Sequence, residues 1–128
     1  MLLLVVEDQP GDLRIANEAG QSSGFTRVEA KSTVGSARVY LEKGLEDGQP
    51  LPDAIVLDLD LGYESGFELL RLWHGNPRLF QIPLVVWTIL GDEQREICRL
   101  FKVNAYVSKQ DGIVVLREAL SGLGRAAS

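Results

Sequence analysis

The sequence predicts an α/β protein built on a doubly wound, five-stranded parallel sheet. Short, fully apolar runs alternate with amphipathic segments of helical length from one end of the chain to the other. Strands of this kind are typical of a parallel sheet that helices cover on both faces. The length of 128 residues fits one domain with one core. The common strand order for five such units is 2-1-3-4-5, which places the first and third strands side by side.

Each element follows from a local pattern. Apolar runs predict strands at residues 2–6, 54–57, 82–87 and 105–107, and residues 26–30 can form a further short strand. Ser32 or Thr33 can cap the second helix, and Gly75-Asn76-Pro77 can end the third. The segments between the strands predict five helices, at about residues 10–24, 33–45, 65–73, 91–102 and 111–120.

Composition and charge exclude several classes of function. The net charge of −5 argues against a broad contact with nucleic acid or with an anionic membrane surface. The apolar runs are too short to span a bilayer, and the first residues, MLLLVVED, lack the basic leader of a signal peptide. Cys98 is the single cysteine and His74 the single histidine, so neither an intrachain disulfide nor a multi-histidine site is possible. We therefore expect a cytoplasmic protein that contacts neither nucleic acid nor membrane directly.

Polar residues stand where the predicted strands end, and this edge of a parallel sheet is where such folds place their sites. The first strand ends in Glu7-Asp8, the third in Asp58, the fourth in Thr88 and the fifth in Lys109. Neighbouring carboxylates repel one another, so Lys109 and a divalent cation are expected to offset them. Mg²⁺ prefers oxygen ligands, and a carboxylate can itself accept a phosphoryl group. The set predicts a site for phosphoryl transfer.

Taken singly, these residues have ordinary explanations. Acids at the start of a helix can be partners of its dipole, and Thr88 can satisfy a backbone group at a strand end. Lys109 alone would be solvated, and Tyr106 alone would be packing. The prediction rests on their occurring together at the same edge of the sheet.

Four motifs, VVEDQPGD, IVLDLDLGYESG, VVWTI and AYVSKQ, resemble the response regulator receiver domain in order and over nearly the whole chain. The resemblance implies a flavodoxin-like (βα)5 fold. It also implies that Asp58 accepts a phosphoryl group from a sensor histidine kinase or a phosphotransfer protein. Asp8, Asp58 and the backbone carbonyl of Asp60 would hold Mg²⁺, with Glu7 in the outer acidic shell. Gly66 matches the glycine of the loop after the phosphoacceptor.

The resemblance also implies how the domain signals. Lys109 would contact Asp58 or its phosphate, and Thr88 would move toward the phosphate and let Tyr106 turn inward. The responding surface would be the fourth helix, fifth strand and fifth helix (α4-β5-α5), at about residues 91–120, and it could also form a homodimer. Residues 1–122 would be the receiver and residues 123–128 a tail without an output domain. The chain would not be an enzyme beyond self-phosphorylation and self-dephosphorylation, and it weakly resembles stand-alone receivers paired with phytochrome-type kinases.

Four positions depart from the family pattern. Ile89 follows the switch hydroxyl where a small residue is usual, and we expect it to slow the loss of phosphate. Gln110 replaces a proline, so we expect a trans peptide bond there. Gly62 also stands in place of a proline, which predicts a looser loop. Asp60 adds an acid whose effect on dephosphorylation has no predicted sign.

Three other functions fit parts of the sequence. A haloacid-dehalogenase-type phosphatase would use Asp58 as nucleophile and Asp60 as general acid, but its D-x-D motif normally lies on the first strand. A flavodoxin-like cofactor carrier would need a phosphate-binding loop after the first strand, where this chain has EDQPGD. A receiver-like interaction module that works without phosphorylation is the third; the full set of site residues argues against it, and Ile89 and Gln110 leave it open.

Overall fold

The computed structural model describes residues 1–127 and contains a five-stranded parallel sheet. The spatial order is β2-β1-β3-β4-β5, which confirms the predicted 2-1-3-4-5 arrangement. The five strands are β1 (Leu2–Val6), β2 (Arg27–Lys31), β3 (Ala54–Leu57), β4 (Leu84–Thr88) and β5 (Ala105–Ser108).

Five longer helices connect and follow these strands. They are α1 (Pro10–Ser22), α2 (Val34–Asp47), α3 (Phe67–Gly75), α4 (Asp92–Leu100) and α5 (Ile113–Ala127). Thr33 caps α2, because its hydroxyl accepts a hydrogen bond from the Ser36 amide at 3.0 Å. The last helix runs to Ala127, past its predicted end at residue 120.

Four short elements were not predicted, and one of them is a single 3-10 turn at Lys109–Asp111 directly after β5. The strands Asp60–Leu61 and Glu64–Ser65 pair antiparallel in the loop after β3, and Pro77–Phe80 forms one helical turn after α3. Asn76 begins that turn, because its side-chain oxygen accepts from the amides of Arg78 and Leu79. A residue expected only to end one helix therefore also caps the next.

The core has two halves, one on each face of the sheet. Alternate residues of β1 and β3 point to opposite faces, as the two-residue period of a strand requires. Helices α2, α3 and α4 cover one face and α1 and α5 cover the other. Cys98 is fully buried in the first half, on the inner face of α4. Both faces of the central strands are therefore buried from solvent, as their apolar sequences predict.

The pairing of β1 with β3 positions the functional edge. Val6 lies opposite Leu57 in the parallel register, so both strands end at the same level. The next residues, Glu7 and Asp58, continue the ladder, because the Asp58 amide donates to the Val6 carbonyl at 3.1 Å. Backbone pairing thus delivers acids from two distant segments to one edge of the sheet.

Candidate functional site

Three carboxylates meet where β1 and β3 end. Ligand oxygens of Glu7, Asp8 and Asp58 all lie within 4.8 Å of one another. Glu7 and Asp58 are buried, with exposed fractions of 1% and 3%. The Asp8 Oδ1 atom is also buried and has no hydrogen-bond partner. The structure therefore brings together the acids that the sequence placed at neighbouring strand ends.

Lys109 is held among carboxylates at the same edge. Its Nζ atom donates to Glu7 Oε2 at 2.7 Å, to Asp12 Oδ2 at 2.7 Å and to Asp58 Oδ2 at 2.9 Å. The ammonium also lies 4.9 Å from the centre of the Trp87 ring. Asp12 was not predicted as a site residue. A signal was present, because Asp12 lies in the first turn of α1, only four residues after Asp8 at the end of β1.

The charge of this cluster is set by burial and by hydrogen bonds. Burial is the largest effect on Glu7 and raises its pKa from 4.5 to about 7, although hydrogen bonds from Lys109 and Gln9 lower it. Burial alone would lower the pKa of Lys109, but its hydrogen bonds to Asp12, Glu7 and Asp58 outweigh that effect and raise the pKa above its usual range. Lys109 is therefore a permanent cation, whereas Glu7 changes its charge near neutral pH.

Asp58 is oriented through both of its carboxylate oxygens. The Asp60 amide donates to Oδ1 at 3.0 Å, and Lys109 holds Oδ2. The side chain of Asp60 is exposed. Gly66 packs against this segment so closely that an added Cβ would lie 2.3 Å from the Asp58 carbonyl oxygen. The loop glycine is thus required by the close approach of two backbone segments.

The loop after Asp58 closes as a hairpin. Gly62 lies at its turn with φ +72°, a left-handed conformation that favours glycine. Glu64 ties the hairpin to the start of α2, since its Oε1 atom accepts from the Val34 amide at 3.3 Å. The looser loop expected from glycine in place of proline stays a prediction.

Thr88 and Tyr106 are joined through one residue of the loop after β4. The Leu90 amide donates to Thr88 Oγ1 at 3.3 Å, and the Tyr106 hydroxyl donates to the Leu90 carbonyl at 2.8 Å. The Arg95 guanidinium lies 4.7 Å from the centre of the Tyr106 ring. Thr88 is fully buried and its hydroxyl is directed to this loop. The two predicted switch residues are therefore connected through the backbone of Leu90.

A cavity of about 240 Å³ opens over Asp58. Ile89 stands at its rim with 58% of its surface exposed. The Lys109–Gln110 peptide bond is trans, as expected for a residue other than proline. The cavity is lined by Asp8, Gln9, Asp12, Asp58, Asp60, Gly62, Ile89 and Lys109.

The donor set suits a hard divalent cation. All three clustered side chains offer carboxylate oxygens, which Mg²⁺ and Mn²⁺ accept readily. The unpartnered Asp8 Oδ1 atom is the clearest sign, because a buried carboxylate oxygen without a donor is costly unless a cation satisfies it. The residues present therefore fit a divalent metal.

Within residues 1–127, none of the helices has the length and apolar character needed to cross a membrane.

Comparison with known proteins gives a consistent set of relatives. The response regulator Rcp1 of Synechocystis sp. (strain ATCC 27184 / PCC 6803 / Kazusa) is 28% identical over 125 residues, which cover 95% of this chain and 85% of that protein. The crystal structure of the Mn²⁺-bound form of Rcp1 is 30% identical, with a TM-score of 0.77, over 95% of this chain and 90% of the other. The phosphorylated cyanobacterial phytochrome response regulator RcpA is 28% identical, with a TM-score of 0.79, over 95% and 89%. No family model matches the chain.

The fold, the acidic edge and these relatives define the class as a signalling domain of two-component systems. A module that signals without phosphorylation is not favoured by the same relatives. More narrowly, the chain belongs to the response regulator receiver domain family, and the solved structures similar to it include response regulators of phytochrome and bacteriophytochrome systems.

Proposed function

We propose that Asp58 accepts a phosphoryl group from a sensor histidine kinase or a phosphotransfer protein, with Mg²⁺ as the resident cation. The observation that carries this proposal is the state of Asp58 itself. Its carboxylate is buried beneath an open cavity, and each of its oxygens is held by one donor, the Asp60 amide or the Lys109 ammonium. A buried carboxylate with fixed orientation and an open approach is suited to act as a nucleophile.

The transfer step is an in-line displacement. A carboxylate oxygen of Asp58 bonds to phosphorus as the bond from phosphorus to the donor histidine nitrogen breaks. The bonding electron pair stays on that nitrogen. Lys109 balances the charge of the incoming phosphoryl oxygens, because its ammonium already lies 2.9 Å from Asp58 Oδ2.

The acidic cluster would hold the cation. Asp8, Asp58 and the backbone carbonyl of Asp60 are the proposed ligands, with Glu7 in the outer shell. The cation supplies positive charge that lets anionic donor and carboxylate approach each other. The Mn²⁺-bound form of the relative Rcp1 supports the proposal of a divalent cation at this cluster. We propose Mg²⁺ as the particular ion.

The response to phosphorylation would pass through Leu90. If Thr88 turns its hydroxyl toward the phosphoryl group, it leaves the Leu90 amide, and the same residue holds Tyr106 through its carbonyl. The affected surface is α4, β5 and α5, which exposes Ile97, Leu100 and Val114. Exposed apolar side chains of this kind suit a partner protein or a second copy of the chain. We propose this surface for the output of the receiver, in a cytoplasmic setting.

Mass spectrometry after incubation with acetyl phosphate and Mg²⁺ tests the proposal. Wild-type protein should gain one phosphoryl group, and Asp58→Asn should gain none. Asp60→Asn is the matched control, because its side chain is exposed while its backbone groups remain. If Asp60→Asn alone abolishes the gain, Asp60 acts as in a D-x-D phosphatase and the proposal fails. Slow loss of the phosphoryl group from the isolated protein would show that it dephosphorylates itself.

A further inference from the structure

Every donor of the Lys109 ammonium is already in use. An ammonium has three N–H donors, and here they go to Glu7, Asp12 and Asp58. A phosphoryl group on Asp58 needs a donor from Lys109, so one of these three hydrogen bonds must be given up. The proposed function assigns roles to Glu7 and Asp58 but leaves Asp12 without one.

The ordinary explanation for Asp12 is a partner for the dipole of α1, because it lies in the first turn of that helix. The position of its carboxylate argues for more. Oδ2 lies 2.7 Å from the ammonium of Lys109, a residue 97 positions away at the end of β5. A dipole partner needs no such contact, so the charge of Asp12 acts directly on Lys109.

The three acceptors differ in their access to water. The side chains of Glu7 and Asp58 are 0% and 3% exposed, whereas that of Asp12 is 32% exposed. Removing the ammonium from a buried carboxylate leaves that charge without a partner, which is costly. Water can take over the partner's place at Asp12. Breaking the Lys109–Asp12 hydrogen bond therefore costs the least free energy when Lys109 turns to the phosphoryl group.

Resting on the proposed function, we propose that Asp12 is a positioning residue that holds Lys109 before phosphorylation and releases it to the phosphoryl group. Asp12 also lines the cavity over Asp58, so its negative charge acts on whatever enters. It repels an anionic phosphoryl donor and attracts a divalent cation. Loss of that charge must affect anion and cation in opposite directions.

The test is Asp12→Asn, which removes the charge and keeps a carbonyl oxygen of the same shape. With Mg²⁺ saturating, the rate of phosphorylation by acetyl phosphate should rise roughly two- to fivefold, the range expected for one partly exposed ion pair. The dissociation constant for Mg²⁺, measured by calorimetry without any phosphoryl donor, should rise by a similar factor. Asp12→Glu should restore both values toward the wild type. Glu18→Gln is the matched control, since it removes one exposed charge from the same helix.

A purely structural role for Asp12 would give a different pattern. Damage to the site would slow phosphorylation and weaken Mg²⁺ binding together, and that result would overturn the proposal, as would unchanged values for both. If wild-type protein gains no phosphoryl group, the proposed function fails. The calorimetry still decides the role of Asp12 in that case, because unchanged Mg²⁺ affinity in Asp12→Asn would refute it and weakened affinity rescued by Asp12→Glu would support it.

Discussion

Replacing Asp8 by asparagine should stabilise the metal-free protein and remove its response to Mg²⁺. Asp8 has ligand oxygens within 4.8 Å of those of Glu7 and Asp58, and its own Oδ1 atom has no hydrogen-bond partner. Two unit charges at that distance repel by about 3.5 kcal/mol at an effective dielectric constant of about 20. Attraction to Lys109 and partial protonation of Glu7 offset part of this repulsion. The free energy of unfolding of the metal-free protein should therefore rise by about 2 kcal/mol in Asp8→Asn, which is about 7 °C in Tm for a chain of this length.

Mg²⁺ should make the wild-type protein more stable than the Asp8→Asn variant. At one hundred times its dissociation constant, a ligand that binds only the folded state stabilises it by about 2.7 kcal/mol. Wild-type protein should show that gain, whereas Asp8→Asn, having lost one ligand, should not. Urea denaturation at pH 7.5, with EDTA or with MgCl₂, measures both effects. Asp111→Asn, an exposed acid in the turn after β5, should leave both curves unchanged.

The pH dependence follows from Glu7. Burial raises the pKa of Glu7 from 4.5 to about 7, so the folded state takes up a proton near neutral pH that the unfolded state takes up only near pH 4.5. Stability of the metal-free protein therefore falls as pH rises from 4.5 to 7, by up to about 3 kcal/mol. The advantage of Asp8→Asn should shrink at pH 5.5, where Glu7 is neutral. A variant no more stable than the wild type at pH 7.5 in EDTA would refute this account of the cluster.

Three further substitutions have expected outcomes. Ile89→Ala should shorten the lifetime of phosphorylated Asp58, because the exposed Ile89 side chain at the cavity rim screens the site from water. Mass spectrometry measures this lifetime as the decay of the added phosphoryl mass, and an unchanged lifetime would contradict the explanation. Gly66→Ala should destabilise the fold by about 3 kcal/mol in urea, since its Cβ would meet the Asp58 carbonyl oxygen at 2.3 Å, while Gly75→Ala, with open space around it, should not. Lys102→Gly should raise stability by about 1 kcal/mol, because Lys102 has φ 61°, and equal stability of the two proteins would show that this conformation is not strained.

The sheet was predictable because its signal is strong and local. β1 and β3 are uninterrupted apolar runs that stop at acids, so strand identity and the level at which each strand ends were both visible in the sequence. The fold rule for parallel sheets then brought Asp8 and Asp58 together. Their proximity needed no further information about side chains.

Other features depend on contacts that a linear pattern does not show. Asp12 looked like an ordinary acid in the first turn of a helix until β5 placed Lys109 beside it. The hairpin around Gly62 has strands of two residues, which are too short for any periodicity. The connection from Thr88 to Tyr106 runs through backbone atoms of Leu90, and these atoms are the same in every residue type.

The buried position of Cys98 makes its thiol a natural reporter of helix motion. It is the single thiol in the sequence, it lies fully buried on the inner face of α4, and burial raises its pKa to about 11. A thiol-reactive dye can reach it only when α4 lifts from the sheet, so the rate of labelling measures how often that helix opens. Comparing this rate before and after phosphorylation would measure the change in opening of α4 without the need to introduce a new cysteine.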